Sequence, residues 1–224
     1  MKLLTAIFFI FTFFQCKNEK EIIRTKKNNI AFCNKIENSI DSIFKDYAEK
    51  YYIDRSVIEP YNLISIDCKQ ANILLADVLY KDQEIRNDGN GDMYVIDSTN
   101  TVKVVSILSK CQKLNIKDFT KKSELAIFLV FQHARDNDLR AYYYSLIKSF
   151  SKDKLDRSFL ALYTDRFLIH QRKKQIFGTQ VNLTLGKIDD LKYPKNINKL
   201  RRCMGLPSLK EYIKYANKNG SNIH

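Results

Sequence analysis

The chain has 224 residues, a formal net charge of +13 and 45% hydrophobic residues. That length allows one domain with a substantial apolar core. The charge alone would favour polyanionic partners, but lysines are spread along the whole chain, and neither an aromatic-interleaved basic stripe nor a nucleic-acid-binding motif occurs. The composition therefore favours a solvated basic surface, and we expect no nucleic-acid partner.

The N-terminus has the pattern of an export signal. A positive start, Met1-Lys2, precedes an apolar run from Leu3 to Phe14 that is too short to span a bilayer. Cys16 follows at the boundary with a polar segment, as in bacterial lipoproteins that are cleaved before a cysteine and acylated on it. Gln15 fits the usual cleavage box poorly, so an ordinary secretory signal or an uncleaved anchor stays open as an alternative.

These features predict a membrane-anchored lipoprotein of the cell envelope, on the periplasmic face or the cell surface. Its membrane contact would be the lipid on Cys16, and the polar segment after it has too little apolar surface to offset the entropy of ordering. The predicted divisions are a signal peptide (1–15), a lipidated cysteine with a flexible tether (16–29), an N-terminal helical segment (30–69), a domain (70–218) and a tail (219–224).

Four further cysteines are too widely spaced for a Cys-x-x-Cys metal pair. They are Cys33, Cys68, Cys111 and Cys203. An oxidising compartment would allow one or two disulfides among them, and buried free thiols explain them equally well, so the pairing stays open.

Apolar residues at helical spacing predict that most of the chain is helical. Before residue 170, the predicted helices cover about 30–51, 70–86, 102–114, 125–131, 139–149 and 156–169. The stretch 125–131 is apolar on every side, which is typical of a central, buried helix. Ser123 and Glu124 stand where its cap and its first-turn acid belong.

The pattern changes near residue 175. Residues 175–181 and 187–193 predict two short strands, with Gly186 in the turn between them. The sequence therefore predicts a mainly α fold of the α+β class, a compact helical domain with a small β-hairpin near the C-terminus.

Two helices are predicted to close the chain. The first, about 196–204, ends at Gly205, a residue that favours a left-handed stop. The second opens with a capping box, in which the side chains of Ser208 and Glu211 each accept from the backbone N–H of the other residue.

Asp82 and Arg86 are the first pair of candidate site residues. Asp82 lies on the apolar stripe of its helix and Arg86 follows four residues later, so the two side chains can form a salt bridge. A carboxylate that faces a core needs such a partner, and a structural ion pair is commoner than a catalytic one.

His133 is the only histidine beside a predicted core helix, and Gln132 precedes it. Its functional interpretation is a general base or acid oriented by a carboxylate such as Asp165, with Arg166 holding an anionic group. The alternative is a buried, hydrogen-bonded imidazole at a helix end. No second histidine is placed to assist, so we expect no metal site and no cofactor.

Thr179 and Gln180 follow Gly178 in the first predicted strand. Their hydroxyl and amide groups could bind a ligand, and hydrogen bonding between strands explains them nearly as well. The chain has no Gly-rich phosphate loop, Gly-x-Ser-x-Gly elbow or His-Glu-x-x-His motif.

Five motifs in order resemble a bacterial family known only as domain of unknown function 6624, over about residues 70–218. They are Asp82-Gln83-Glu84-Ile85-Arg86, Gln132-His133-Ala134, Asp165-Arg166, Gln175-Ile176-Phe177-Gly178-Thr179-Gln180, and Arg201-Arg202-Cys203-Met204-Gly205-Leu206-Pro207. Phe177 stands where the family has tyrosine, so any role that needs a phenol hydroxyl is lost. The resemblance confers no activity, but it implies that the polar residues of these motifs converge on one pocket.

Two functions follow as expectations. The first is a ligand- or partner-binding or scaffold domain, with a polar cluster around His133 and Asp165. The second is a hydrolase-like enzyme in which His133 is the base, Asp165 orients it and Arg166 steadies an anionic group. Because no nucleophile can be named, water would have to attack, and the binding domain is the favoured expectation.

Overall fold

The computed structural model describes residues 29–88, 91–151, 155–181, 188 and 190–219. The predicted signal peptide lies outside these residues, as do nearly all of the predicted tether and tail. Two compact units divide the chain, Met1–Asp41 and Ser42–His224. No helix in the described part of the chain combines the length and the apolar character needed to cross a bilayer.

Helices dominate the structure. The first, α1, covers residues 29–51. The others are α2 (Ala71–Asp88), α3 (Met93–Lys110), α4 (Lys121–His133), α5 (Asn137–Tyr142), α6 (Tyr144–Phe150), α7 (Arg157–His170), α8 (Ile197–Cys203) and α9 (Leu209–Asn219). Short 3-10 turns lie at Arg55–Ile58, Cys68–Gln70, Ile116–Asp118 and Pro194–Asn196.

Helix α4 is central, as its apolar sequence predicted. It packs against α2, α3 and α7 and buries Ile127, Phe128 and Phe131. The ring of Phe128 meets Phe159 of α7 edge-on at 4.8 Å. Burial of such large apolar side chains is the main force that holds these helices together.

An aromatic cluster extends this core to the C-terminal half of α1. Phe44 stacks on Tyr144 at 3.9 Å and on Phe167 at 4.2 Å. Tyr47 contacts Phe167 edge-on and donates its hydroxyl to Asp138 at 2.7 Å. The cluster thereby ties the C-terminal half of α1 to α5, α6 and α7.

The predicted β-hairpin is wrong. The described residues contain no strand, and only an isolated parallel bridge joins Gln175 to Leu191. Beyond the backbone bonds of Gln175 to Asp190 and Lys192, no ladder continues in the described part of the chain, because the next backbone groups bond to side chains instead. The N–H groups of Ile176, Phe177 and Thr179 donate to Asp165, and Arg201 donates to the carbonyls of Phe177 and Gly178. The predicted turn at Gly186 lies outside the described residues.

Two helix boundaries also differ from the prediction. Helix α3 begins at Met93 rather than near residue 102, because Asp92 caps it by accepting from the N–H groups of Tyr94 and Val95. The helix predicted over 139–149 is two helices, α5 and α6, which meet at Tyr143. The capping box of α9 is confirmed, with Ser208 Oγ and N both donating to Glu211 Oε2.

A disulfide joins the segment before α2 to the end of α3. Its residues are Cys68 and Cys111, which are 43 positions apart. Cys33 and Cys203 are disulfide-bonded as well. The cysteines that the sequence left open are therefore oxidised, as an export route would allow.

Candidate functional site

The salt bridge predicted along α2 is confirmed. Arg86 Nη1 lies 2.9 Å from Asp82 Oδ1, and Arg86 Nη2 lies 2.8 Å from Asp97 Oδ1 on α3. The side chain of Asp82 is only 2% exposed. One guanidinium therefore bridges carboxylates from two helices, the fork geometry at which arginine excels.

His133 ends α4 and meets the same carboxylate. Its Nδ1 lies 2.9 Å from Asp82 Oδ1. Burial raises the pKa of Asp82, but His133, Arg86 and Gln83 outweigh that effect and hold it below its usual value. Because Asp82 is thus a carboxylate at neutral pH, it can only accept, and the hydrogen bond between the two side chains runs from the Nδ1–H group of His133 to Asp82.

Nε2 of His133 is available for chemistry. It makes no hydrogen bond to any residue that the structure describes, and the ring lines a cleft of about 360 Å³. Tyr61, Tyr94, Asp97 and Arg135 also line this cleft. An aspartate-oriented histidine with a free nitrogen beside a cleft is the arrangement of a general base.

Arg140 fixes the end of α4 that carries His133. Its guanidinium is completely buried and donates to the carbonyls of Phe131, Gln132 and Ala134. Burial lowers the pKa of Arg140 to about 10, well above neutrality. The last carbonyls of a helix have no partner within the helix, so this arginine replaces the missing donors.

Asp165 lies elsewhere, in α7, where its side chain contacts the loop that follows this helix. Its buried carboxylate accepts from the N–H groups of Ile176, Phe177 and Thr179 and from Thr179 Oγ1, at 2.8 to 3.2 Å. Burial raises the pKa of Asp165, and these hydrogen bonds act in the opposite direction. The structure thus gives His133 a different carboxylate, Asp82, and engages Asp165 in positioning a loop.

The same loop is held from its other side by Arg201. This buried guanidinium donates to the carbonyls of Phe177, Gly178 and Pro207 at 2.7 to 3.0 Å. Tyr212 of α9 donates to the carbonyl of Thr179 at 2.8 Å. The third, fourth and fifth sequence motifs therefore meet in one structural lock around the loop 175–180.

The amide and hydroxyl candidates are engaged within the protein. Thr179 donates its hydroxyl to Asp165, and Gln180 Nε2 donates to Thr179 Oγ1 at 3.0 Å. Gln132 is buried beside His133, and its side-chain Oε1 has no hydrogen-bond partner among the described residues.

Arg166 has an unusual environment. It is mostly buried, and its Nε is fully buried without a hydrogen bond. No ion pair joins its guanidinium to any residue within the described ranges. Burial lowers the pKa of Arg166, and repulsion from Arg86 lowers it further. Within the described residues, Arg166 therefore has no carboxylate partner, and the positive charge of Arg86 acts against its own charge.

Within the described ranges, Asp82, Asp97 and His133 form a group that could hold a metal ion, because one ligand atom from each lies within 4.8 Å of the others. The Arg86 guanidinium already occupies the position between the two carboxylates. A metal ion would have to displace it, so these residues fit a cation poorly in this arrangement.

Sequence reasoning missed Asp97, Arg140 and Tyr212. Asp97 lies in the part of α3 that was not predicted as helix, although Asp92 as a cap could have indicated it. Arg140 and Tyr212 act through contacts between elements, which no periodic pattern reveals.

The fold and site define a helical domain with two arginine-centred polar groups, one around His133 and one around the loop 175–180. A model of a family of unknown function, DUF6624, matches residues 83–221. The match covers more than half of the chain, and the chain belongs to this family. No curated protein and no solved structure matches the chain significantly.

Proposed function

We propose that this protein is an exported, lipid-anchored protein of the cell envelope whose DUF6624 domain binds an anionic ligand at Arg166, beside Arg86. The charged start, short apolar run and Cys16 support the anchor. Intact-mass analysis of the full chain expressed in a bacterium tests this part. We expect a chain that begins at an acylated Cys16, and an unmodified Met1 would contradict it.

Arg166 carries the ligand-binding part of the proposal. A guanidinium remains charged at any ordinary pH, and withdrawing a charge from water without a counter-charge is costly. Arg86 is neutralised by Asp82 and Asp97, whereas Arg166 has no partner within the described residues. An anion from solution is the partner that this position lacks.

Replacing Arg166 by Met separates binding from stability. The variant should be more stable than the wild type in the absence of ligand, by about 1 kcal/mol, because a poorly solvated charge is removed. Inorganic phosphate or sulfate at constant ionic strength should raise the melting temperature of the wild type and leave that of the Arg166→Met variant unchanged. Thermal unfolding measures both effects.

Arg202→Met is the matched control, since Arg202 is an exposed arginine on α8. It should keep the phosphate response. A strongly destabilised Arg166→Met variant with the same phosphate response as the wild type would make Arg166 a structural residue and overturn the proposal, as would a wild type that responds to neither anion.

A hydrolase is the second candidate, favoured by the Asp82–His133 pair with its free Nε2. In this reaction Nε2 would take a proton from water, the hydroxide would attack the group held at Arg166, and the imidazolium would return the proton to the leaving group. With p-nitrophenyl phosphate as probe, His133→Gln should abolish turnover and keep the thermal response to phosphate. If the wild type does not turn over this substrate, the hydrolase candidate is rejected and only the ligand-binding proposal remains.

A further inference from the structure

A second cleft lies between the C-terminal half of α1 and the end of α7. It has a volume of about 890 Å³, a size typical of sites for small molecules. Its apolar residues include Ile43, Leu168 and Ile176, and Tyr47 and Tyr51 contribute aromatic rings. It shares no lining residue with the cleft at His133.

The cationic side chains of this basic cleft come from three segments of the chain. They are Lys50 of α1, Arg172, Lys173 and Lys174 after α7, and Lys192 after the bridge to Gln175. Asp46 is the single carboxylate among the described residues that line this cleft. None of these five cations forms an ion pair with a residue that the structure describes.

The excess of positive charge is a property of this cleft and does not follow merely from the basic composition. In the cleft at His133, Arg135 is accompanied by Asp97 and Asp136. In a third cleft, Lys81 is accompanied by Glu84 and Asp92. Of these three clefts, only the basic cleft therefore has an excess of positive charge among its described lining residues.

His170 adds a neutral polar group to the same cleft. Burial, Arg140 and Arg166 lower the pKa of His170 to about 4, so the imidazole is uncharged at pH 7. The chain turns sharply after it, with Arg172 in the left-handed region at φ 58°. This turn sets Lys173 and Lys174 beside the lysines of the other two segments.

We propose that the basic cleft is a second binding site, for a soluble ligand that carries several phosphate or sulfate groups and a ring. Cations from three directions suit several negative charges at once, and Tyr51, half exposed, offers a face for the ring. The concave shape favours a small molecule over a membrane surface.

Pyranine, a pyrene that carries three sulfonates, is a suitable fluorescent probe. Its anisotropy should show saturable binding to the full-length protein at about 0.15 M salt, where charges more than about 8 Å apart are screened. The double variant Lys173→Gln/Lys174→Gln should weaken binding about fivefold, since each exposed charge contributes about 0.5 kcal/mol. Inorganic tripolyphosphate should compete with the probe.

The double variant Lys121→Gln/Lys122→Gln is the matched control. It removes two adjacent exposed lysines that line none of the described clefts, and it should bind pyranine as the wild type does. If both double variants weaken pyranine binding equally, the effect depends on net charge alone and the proposal is overturned. Preferential binding to phosphatidylglycerol vesicles over phosphatidylcholine vesicles without competition by tripolyphosphate would also overturn it, since the cleft would then face a lipid surface.

Discussion

Asp165 shows how one side chain can shape a segment without regular secondary structure. Its two oxygens accept from three backbone N–H groups and one hydroxyl of residues 176–179. Such a carboxylate replaces the strand partner that these amides would otherwise need, because buried backbone donors must be satisfied.

Replacing Asp165 by Asn should therefore lower the free energy of unfolding by about 2–3 kcal/mol, since an NH₂ group would face N–H donors in a buried place. Urea denaturation measures the loss. Thr179→Val removes only the hydroxyl and should lose about 1 kcal/mol. Equal stability of Asp165→Asn and the wild type would show that the loop does not depend on this carboxylate.

At the scale of the element, helix α4 depends on an arginine from the next helix. Arg140 supplies donors to the carbonyls of Phe131, Gln132 and Ala134, and thereby fixes the end that carries His133. Arg140 is completely buried among acceptors, whereas Arg166 is partly buried and its Nε has no hydrogen-bond partner within the described residues. Substitution should therefore affect stability with opposite signs.

Arg140→Leu should lower the free energy of unfolding by about 2 kcal/mol, because buried carbonyls lose their donors. Arg140→Lys keeps the charge but has no planar fork, so it should recover only part of that loss. Circular dichroism during urea titration measures the free energy of unfolding, which should fall in the order wild type, Arg140→Lys, Arg140→Leu. A Leu variant as stable as the wild type would mean that water satisfies these carbonyls.

For the whole molecule, the Cys68–Cys111 disulfide encloses α2 and α3, the helices that carry Asp82, Arg86 and Asp97. A disulfide that closes a loop of 43 residues lowers the entropy of the unfolded chain and thereby stabilises the folded state by about 3–4 kcal/mol. The double variant Cys68→Ala/Cys111→Ala should lose that amount in non-reducing urea denaturation. An unchanged midpoint would assign the cohesion of this region to packing alone.

The sequence predicted those features that depend on residue spacing within a single helix. The pair Asp82 and Arg86 could be found because four positions separate two residues on one helix face. The burial of α4 could be found because its apolar residues surround the axis. The capping box at Ser208 is likewise a local pattern.

Features that join distant segments could not be predicted in this way. The partner of His133 comes from α2, 51 positions earlier, and periodicity does not record which helices become neighbours. Gln175–Val181 has the composition of a strand, but Asp165 and Arg201 use the hydrogen-bonding groups that a strand requires. Tertiary contacts override local propensity at this point.

Anion binding at Arg166, as proposed above, would link the abundance of this protein to the supply of its ligand. A domain that holds a partly buried, unneutralised charge opens more often than one whose charge is matched, and opened chains are the substrates of proteases. An anion at 100 times its dissociation constant would suppress opening by about 2.7 kcal/mol. Turnover of the protein would then slow when its ligand is plentiful, so that its lifetime in the cell reports the supply.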